Sequence, residues 1–172
     1  MTDRLTVITR LASSGIPLVL IGAQALRVLG SARESLDIDF AIREVDVDPV
    51  LDILYEQGYR MPVSVSSDGS RVVWANDVQS ASDTILADRR GALNMYLLDE
   101  DGDPIDQMDF VFDNSIPFAR LFKAARIIRT DPEIRSASAK HLIIMKETRL
   151  ANGEGGPNDE VDLAFLRGLE KS

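Results

Sequence analysis

The chain has 172 residues, 45% of them apolar, and a net charge of −9, which suits one domain with a sizeable core and argues against a surface that holds nucleic acid by charge. It has no cysteine and a single histidine, so disulfides, thiol chemistry and multi-histidine metal sites are excluded. No apolar run is long enough to span a membrane, and the start MTDRLTVITR lacks a signal peptide's apolar segment, so the expectation is a cytoplasmic protein.

Residues 2–14 place Leu5, Ile8, Leu11 and Ala12 at helical spacing, and Gly15 closes that helix. Pro17 leads into an apolar strand at 18–21. Gly22 ends the strand, and 23–29 reads as a short helix stopped by Gly30. The next strand spans 37–42. Asp48-Pro49 has the pattern of an N-cap followed by proline at the first helical position, and Val50, Ile53, Leu54 and Tyr55 give that helix an apolar face as far as Gly58. Residues 59–65 and 72–73 flank a turn centred on Asp68-Gly69, a hairpin signal. Residues 76–88 are expected to be irregular.

Residues 92–98 and 105–112 flank Asp101-Gly102-Asp103-Pro104 and read as a long hairpin. Residues 117–128 are expected as a helix with Phe118, Leu121, Phe122 and Ala125 inward, and 134–137 as an extended piece. Ser138 caps a helix over 138–150. The loop ANGEGGP follows at 151–157, and Asn158 caps a last helix over 159–169. The expected organisation is a core of residues 1–114 and a helical part of residues 115–172 packed on it in one compact domain.

The chemistry concentrates at Asp37 and Asp39. They lie two residues apart, so on a strand they share a face, with Ile38 and Phe40 turned toward the core. Adjacent carboxylates repel each other, and the usual cation for paired oxygen ligands is Mg2+. The plainer alternative is a solvated strand face. Upstream, the N-terminal N–H groups of the helix opened by Gly22 and Ala23 suit a phosphate.

In this order these residues resemble the nucleotidyltransferase superfamily, which includes polymerase β, CCA-adding enzymes and aminoglycoside nucleotidyltransferases. Its signature is a Gly-Gly or Gly-Ser turn, a helix, and Asp-x-Asp on the next strand. Here the pieces are Gly22-Ala23, the helix, and Asp37-Ile38-Asp39. The nearest likeness is to small bacterial nucleotidyltransferase-like proteins of the abortive-infection and toxin–antitoxin toxin type, whose rhythm Gln24-Ala25, Gly30, Arg33 and the Asp pair follow. Ala23 departs from the pattern: it removes a hydroxyl that binds phosphate and keeps the backbone N–H. The resemblance covers residues 18–166, and its specific part is 22–39.

The resemblance implies an α/β fold, a mixed twisted sheet flanked by helices with a helical C-terminal part. It implies Mg2+-dependent transfer of a nucleoside monophosphate from a nucleoside triphosphate to an acceptor hydroxyl on an RNA such as tRNA, a protein or a small molecule. Asp109, in Met108-Asp109-Phe110, is the implied third carboxylate beside Asp37 and Asp39, both as metal ligand and as catalytic group, with Asp106 its competitor. Gly22, Ala23, Arg33, Lys146 and Asp159 are the implied nucleotide-binding residues, with Lys146 on the phosphates and Asp159 orienting it. The Lys-Asp of the relatives is Asn158-Asp159 here.

A second reading keeps the fold without the activity, as a binding or regulatory module with a protein partner. Ala23 and the acidity favour it, and retention of both Asp37 and Asp39 opposes it. Elsewhere, His141 reads as a surface or packing histidine and Trp74 as core. The row Arg120, Lys123, Arg126 and Arg129 reads as one basic helix face, solvated or set against an RNA or a partner.

Overall fold

In the first helix Val7, Ile8 and Leu11 are buried along one stripe, whereas Leu5, which the spacing places on that face, is exposed. The computed structural model describes residues 3–66 and 71–170. In chain order these form α1 (Arg4–Ser13), β1 (Val19–Ile21), α2 (Gly22–Val28), β2 (Ile38–Ala41), α3 (Val47–Glu56), β3 (Tyr59–Arg60), β4 (Pro62–Val65) and β5 (Val72–Trp74). Then follow α4 (Val78–Asp88), β6 (Ala92–Leu98), β7 (Pro104–Val111), α5 (Phe118–Ala124), β8 (Arg126–Thr130), β9 (Glu133–Ser136), α6 (Ala139–Ala151) and α7 (Asp159–Leu169). Among the described residues no helix is long and apolar enough to cross a membrane.

Seven strands make one mixed sheet in the order β3-β6-β7-β2-β1-β9-β8, and β4 and β5 pair separately. The central pairing is parallel, β2 beside β7, and β1 runs antiparallel to β2. β9, from beyond the expected boundary near Ser115, pairs in parallel with β1. The C-terminal part therefore supplies two strands of the same sheet as well as three helices. Phe40 of β2 and Phe110 of β7 are fully buried with ring centroids 5.9 Å apart, which fixes the mutual level of the two strands beneath the sheet's other face.

Four expectations need correction. Residues 76–88 are not irregular. Asp77 caps α4 in a reciprocal capping box with Ser80, whose N–H lies 2.8 Å from Asp77 Oδ1, and Ala81 and Ile85 are buried. The apolar stripe of α4 is thin, so the cap rather than the periodicity makes the helix. The helix expected over 117–128 stops at Ala124, because Arg126–Thr130 pairs antiparallel with β9 and Ile127 and Ile128 suit a strand. Arg120 and Lys123 thus sit on a helix and Arg126 and Arg129 on a strand, so the basic row is not one helix face. Asp48 is not an N-cap: α3 begins at Val47 after a short 3-10 turn, and Arg43 grips the preceding Asp46 with two hydrogen bonds of 2.6 Å. Trp74 is half-buried against Tyr96, at 5.6 Å between centroids, rather than in the core.

The flanks of the first hairpin pair as expected, Val65 opposite Val72, while its turn at Asp68-Gly69 lies outside the described residues. His141 is a packing histidine: it is buried, with Nδ1 3.0 Å from Ser138 Oγ.

Candidate active site

The parallel pairing of β2 and β7 sets Asp39 level with Asp109, and the antiparallel pairing of β7 and β6 sets Asn94 level with Asp109. Alternation along the strands turns Phe40 and Phe110 into the core and the acids to the opposite face. Neighbouring strands stand about 4.8 Å apart, so the three side chains form a row across the sheet. Asn94 donates to Asp109 Oδ1 at 3.0 Å, and Gln107, two residues earlier on the same face, donates to both carboxylate oxygens at 3.0 and 3.1 Å. Asp37 lies one residue before β2 and is exposed.

Gly22 is where the chain turns from β1 into α2. Its φ is +62°, and a Cβ there would lie 2.0 Å from Asp39 Oδ2. Only glycine lets the backbone pass this close to the carboxylate while holding that conformation. The sequence pattern assigns Gly22 to phosphate alone, and this second duty emerges from the fold.

Asp37, Asp39 and Asp109 line one cavity of about 770 Å3 together with Gly22, Ala23, Arg33, Lys146 and Asp159. Asp106 does not. Its carboxylate is taken by the Arg4 guanidinium and the Tyr59 hydroxyl, away from the cavity. Arg4 also donates to the carbonyl of Leu36 at 2.6 Å, immediately before Asp37. Gln24 donates to the Ser35 carbonyl at 2.7 Å. The connection leading to Asp37 is thus held at two consecutive carbonyls.

Burial pushes the Asp39 carboxyl up to about 6, and the charges of Asp109 and Asp37 add to this against the pull of Arg149 and Lys146. Asp109 is also raised, by burial first, with the Gln107 and Asn94 hydrogen bonds opposing and Asp37 adding.

The opposite wall is built differently. Lys146 of α6 is buried, with Nζ 2.7 Å from Asp159 and 2.6 Å from Asp162 of α7, and Asp162 also takes Arg33 at 2.5 Å. Burial works against ionisation of Asp159, but Lys146 and the Gly156 N–H, 2.8 Å from Oδ2, outweigh it and hold the carboxyl below the usual range. Asp162 was not singled out from sequence. Its signal was an Asp-x-x-Asp step on a helix that buries Leu163 and Leu166, which carries both acids onto the inner face. Asn94 and Gln107 were also unassigned, because their role depends on strand register.

The donor set suits Mg2+ in kind: all oxygen, two carboxylates two residues apart, and a third level with one of them. Among the described residues no three acidic or histidine side chains form a ready-made cation cage. Mg2+ characteristically takes one or two carboxylates and completes its octahedron with water and substrate phosphates, so Asp37 and Asp39 fit it without a protein cage.

No protein-family model matches the chain, and no curated protein does. Its fold matches the crystal structure of ANT(2″)-Ia in complex with adenylyl-2″-tobramycin, with a TM-score of 0.55 and 13% identity, covering 93% of this chain and 83% of that one. It also matches the solution structure of the antibiotic-resistance factor ANT(2″)-Ia, with a TM-score of 0.53 and 12% identity, covering 93% of this chain and 78% of that one. At such identities the likeness is one of fold. ANT(2″)-Ia is an aminoglycoside nucleotidyltransferase, and the mixed sheet flanked by helices seen here is the nucleotidyltransferase fold.

Proposed function

We propose that this chain transfers a nucleoside monophosphate from a nucleoside triphosphate to an acceptor hydroxyl. The observation that carries the reading is the placement of Asp39. A half-buried carboxylate is pressed against a glycine that no other residue can replace, with two further acids lining the same cavity. Holding acids together in this way is unfavourable for the empty protein and is explained by a ligand that brings positive charge.

Asp37 and Asp39 would hold Mg2+ with the triphosphate, and Gly22 and Ala23 would offer backbone N–H groups to its oxygens. Bound Mg2+ supplies charge neutralisation between the triphosphate and the acids and stabilises an in-line displacement at the α-phosphorus. The acceptor oxygen forms a bond to the α-phosphorus, the bond to the β-phosphate oxygen breaks, and pyrophosphate leaves. Asp109 takes the acceptor's proton. Burial raises its carboxyl toward the range a general base needs, and the Asn94 and Gln107 amides fix its orientation. Arg33, Asp159 and Lys146 form the wall that closes the nucleotide's side of the cavity. The acceptor is an RNA such as tRNA, a protein or a small molecule.

The test is transfer of label from each of the four α-labelled triphosphates, with Mg2+, to components of a cell extract. Transfer that Asp37→Ala abolishes supports the reading. Tight binding of a triphosphate with no transfer from any of the four would instead make this a regulatory nucleotide-binding module.

A further inference from the structure

Three cations line the cavity, and they are not equivalent. Lys146 sits between Asp159 and Asp162, and Arg33 lies on Asp162. Two positive and two negative charges there cancel, in a buried cluster with fixed geometry. The third cation is Arg149, one helical turn beyond Lys146 on α6 and therefore on the same helix face. It is exposed, and among the described residues no carboxylate stands at ion-pair distance from it. Among the described residues its guanidinium makes one hydrogen bond, from Nη2 to the Glu154 carbonyl at 3.1 Å, which ties it to the loop after α6 at the cavity edge. That single tie leaves most of its five N–H donors unused. It lines the same cavity as Asp39 and Asp159.

With the wall neutral, the remaining acids of the lining, among them Asp37, Asp39, Asp109 and Asp113, face the cavity with Arg149 as the one cation not committed to a carboxylate. A triphosphate entering this space carries about four negative charges and is repelled by every acid on the floor. Resting on the nucleotidyl-transfer reading above, we propose that Arg149 is the phosphate-binding cation of the cavity. Its planar fork takes two oxygens of the triphosphate tail, while Lys146 and Arg33 hold α7 and the connection before Asp37 in place. The guanidinium suits the task geometrically, since it matches phosphate oxygens two at a time. A lysine held by two carboxylates would have to break both pairs to do the same, leaving buried acids unmatched.

The experiment is isothermal titration of the full chain with inorganic tripolyphosphate, ATP and adenosine, each with Mg2+, at two salt concentrations. Arg149→Gln is expected to weaken tripolyphosphate and ATP by about tenfold or more, the loss of one charge-assisted contact. It should leave adenosine affinity and the ligand-free melting temperature unchanged. Arg149→Lys should recover part of the loss, and added salt should shrink the difference between wild type and Arg149→Gln. Arg167→Gln removes the same charge from an exposed pair with Glu147 on the surface and should bind tripolyphosphate as wild type does. If Arg149→Gln binds tripolyphosphate and ATP normally, or loses adenosine in the same proportion, the assignment of Arg149 falls and the transfer reading stands. If wild type binds neither tripolyphosphate nor any of the four triphosphates with Mg2+, both fall.

Discussion

Two groups of acids at and behind the lining of one cavity stand under opposite electrostatic conditions. On the wall, Asp159 and Asp162 meet Lys146 at 2.7 and 2.6 Å, and Arg33 reaches Asp162. On the floor, Asp39 and Asp109 have no cation at ion-pair distance among the described residues; a glycine backs one and amides hold the other. The wall acids are the more deeply buried, yet Asp159 is held low while the half-buried Asp39 is pushed up to about 6. Partners, not depth, therefore separate them. A paired buried cluster joins elements of the fold, here α6, α7 and the connection before β2. An unpaired one costs stability and is kept for what it will bind.

The largest test of that contrast is Lys146→Met. It strands two buried carboxylates, and breaking such a cluster from one side costs about 3–5 kcal/mol, read as a lower midpoint in urea unfolding. Arg33→Met should cost far less, because Asp162 keeps Lys146. The sign with pH follows from Asp159: its folded value lies below the usual 3.8, so its contribution is present above pH 3.8 and is lost as pH falls through the folded value. The gap between wild type and Lys146→Met should therefore close in acid. An unchanged midpoint at neutral pH would deny the wall its structural role.

Gly22→Ala comes next. It adds the strain of a positive φ, about 1–2 kcal/mol, and drives a methyl group into Asp39, 2.0 Å from Oδ2. Stability should fall by roughly 2–3 kcal/mol, and Mg2+-triphosphate binding should disappear, as seen by calorimetry. Normal binding in this variant would mean that Asp39 need not lie where it does.

Asp39→Asn should act in the other direction. The folded carboxyl titrates near 6 against 3.8 in the unfolded chain, so ionising it costs stability as pH rises between those values. Above pH 6 the whole cost is present, and below 3.8 it vanishes. Discounted for its partial exposure, the gain from Asn at pH 7 is on the order of 2 kcal/mol, or about 5 °C in melting temperature, and it should fade toward pH 4. Mg2+-triphosphate binding should be lost at the same time. A variant less stable than wild type at pH 7 would make Asp39 a structural hydrogen-bonding group.

How much of this was legible depends on the range of the interaction. Gly22, the helix behind it and the Asp37–Asp39 pair lie within one local stretch; their spacing puts the two acids on one face, and the family resemblance they carry implied the fold. Asp109 was implied by the same resemblance, and Met108 and Phe110 mark the opposite face of its strand. Asn94, Gln107 and Asp162 were not, since each acquires its role from register or from a helix packed across the cavity. The α4 helix was hidden because a Ser-rich stretch shows little periodicity, although its capping box, Asp77-x-x-Ser80, was written in the sequence. β8 was lost to its own preceding helix: the basic spacing ran on, and only pairing with β9 ended it.

Asp106 was the rival of Asp109 on paper, and the fold gives it a quieter role on which the smallest prediction rests. Arg4 Nε reaches Asp106 Oδ2 at 3.1 Å while the same guanidinium holds the Leu36 carbonyl at 2.6 Å. Asp106 is thus tied through Arg4 to the peptide that leads into Asp37. Arg4→Met should cost only about 1 kcal/mol of stability, since the guanidinium is partly solvated. It should weaken Mg2+-triphosphate binding a few-fold by loosening Asp37, with adenosine affinity unaffected. The deciding measurement is a double-mutant cycle with Asp37→Ala. If Arg4 works through Asp37, then once Asp37 is gone the loss of Arg4 changes whatever triphosphate affinity remains no further. Additive losses would mean that Arg4 reaches the cavity by another route, and Asp106 would then be a member of the hairpin and nothing more.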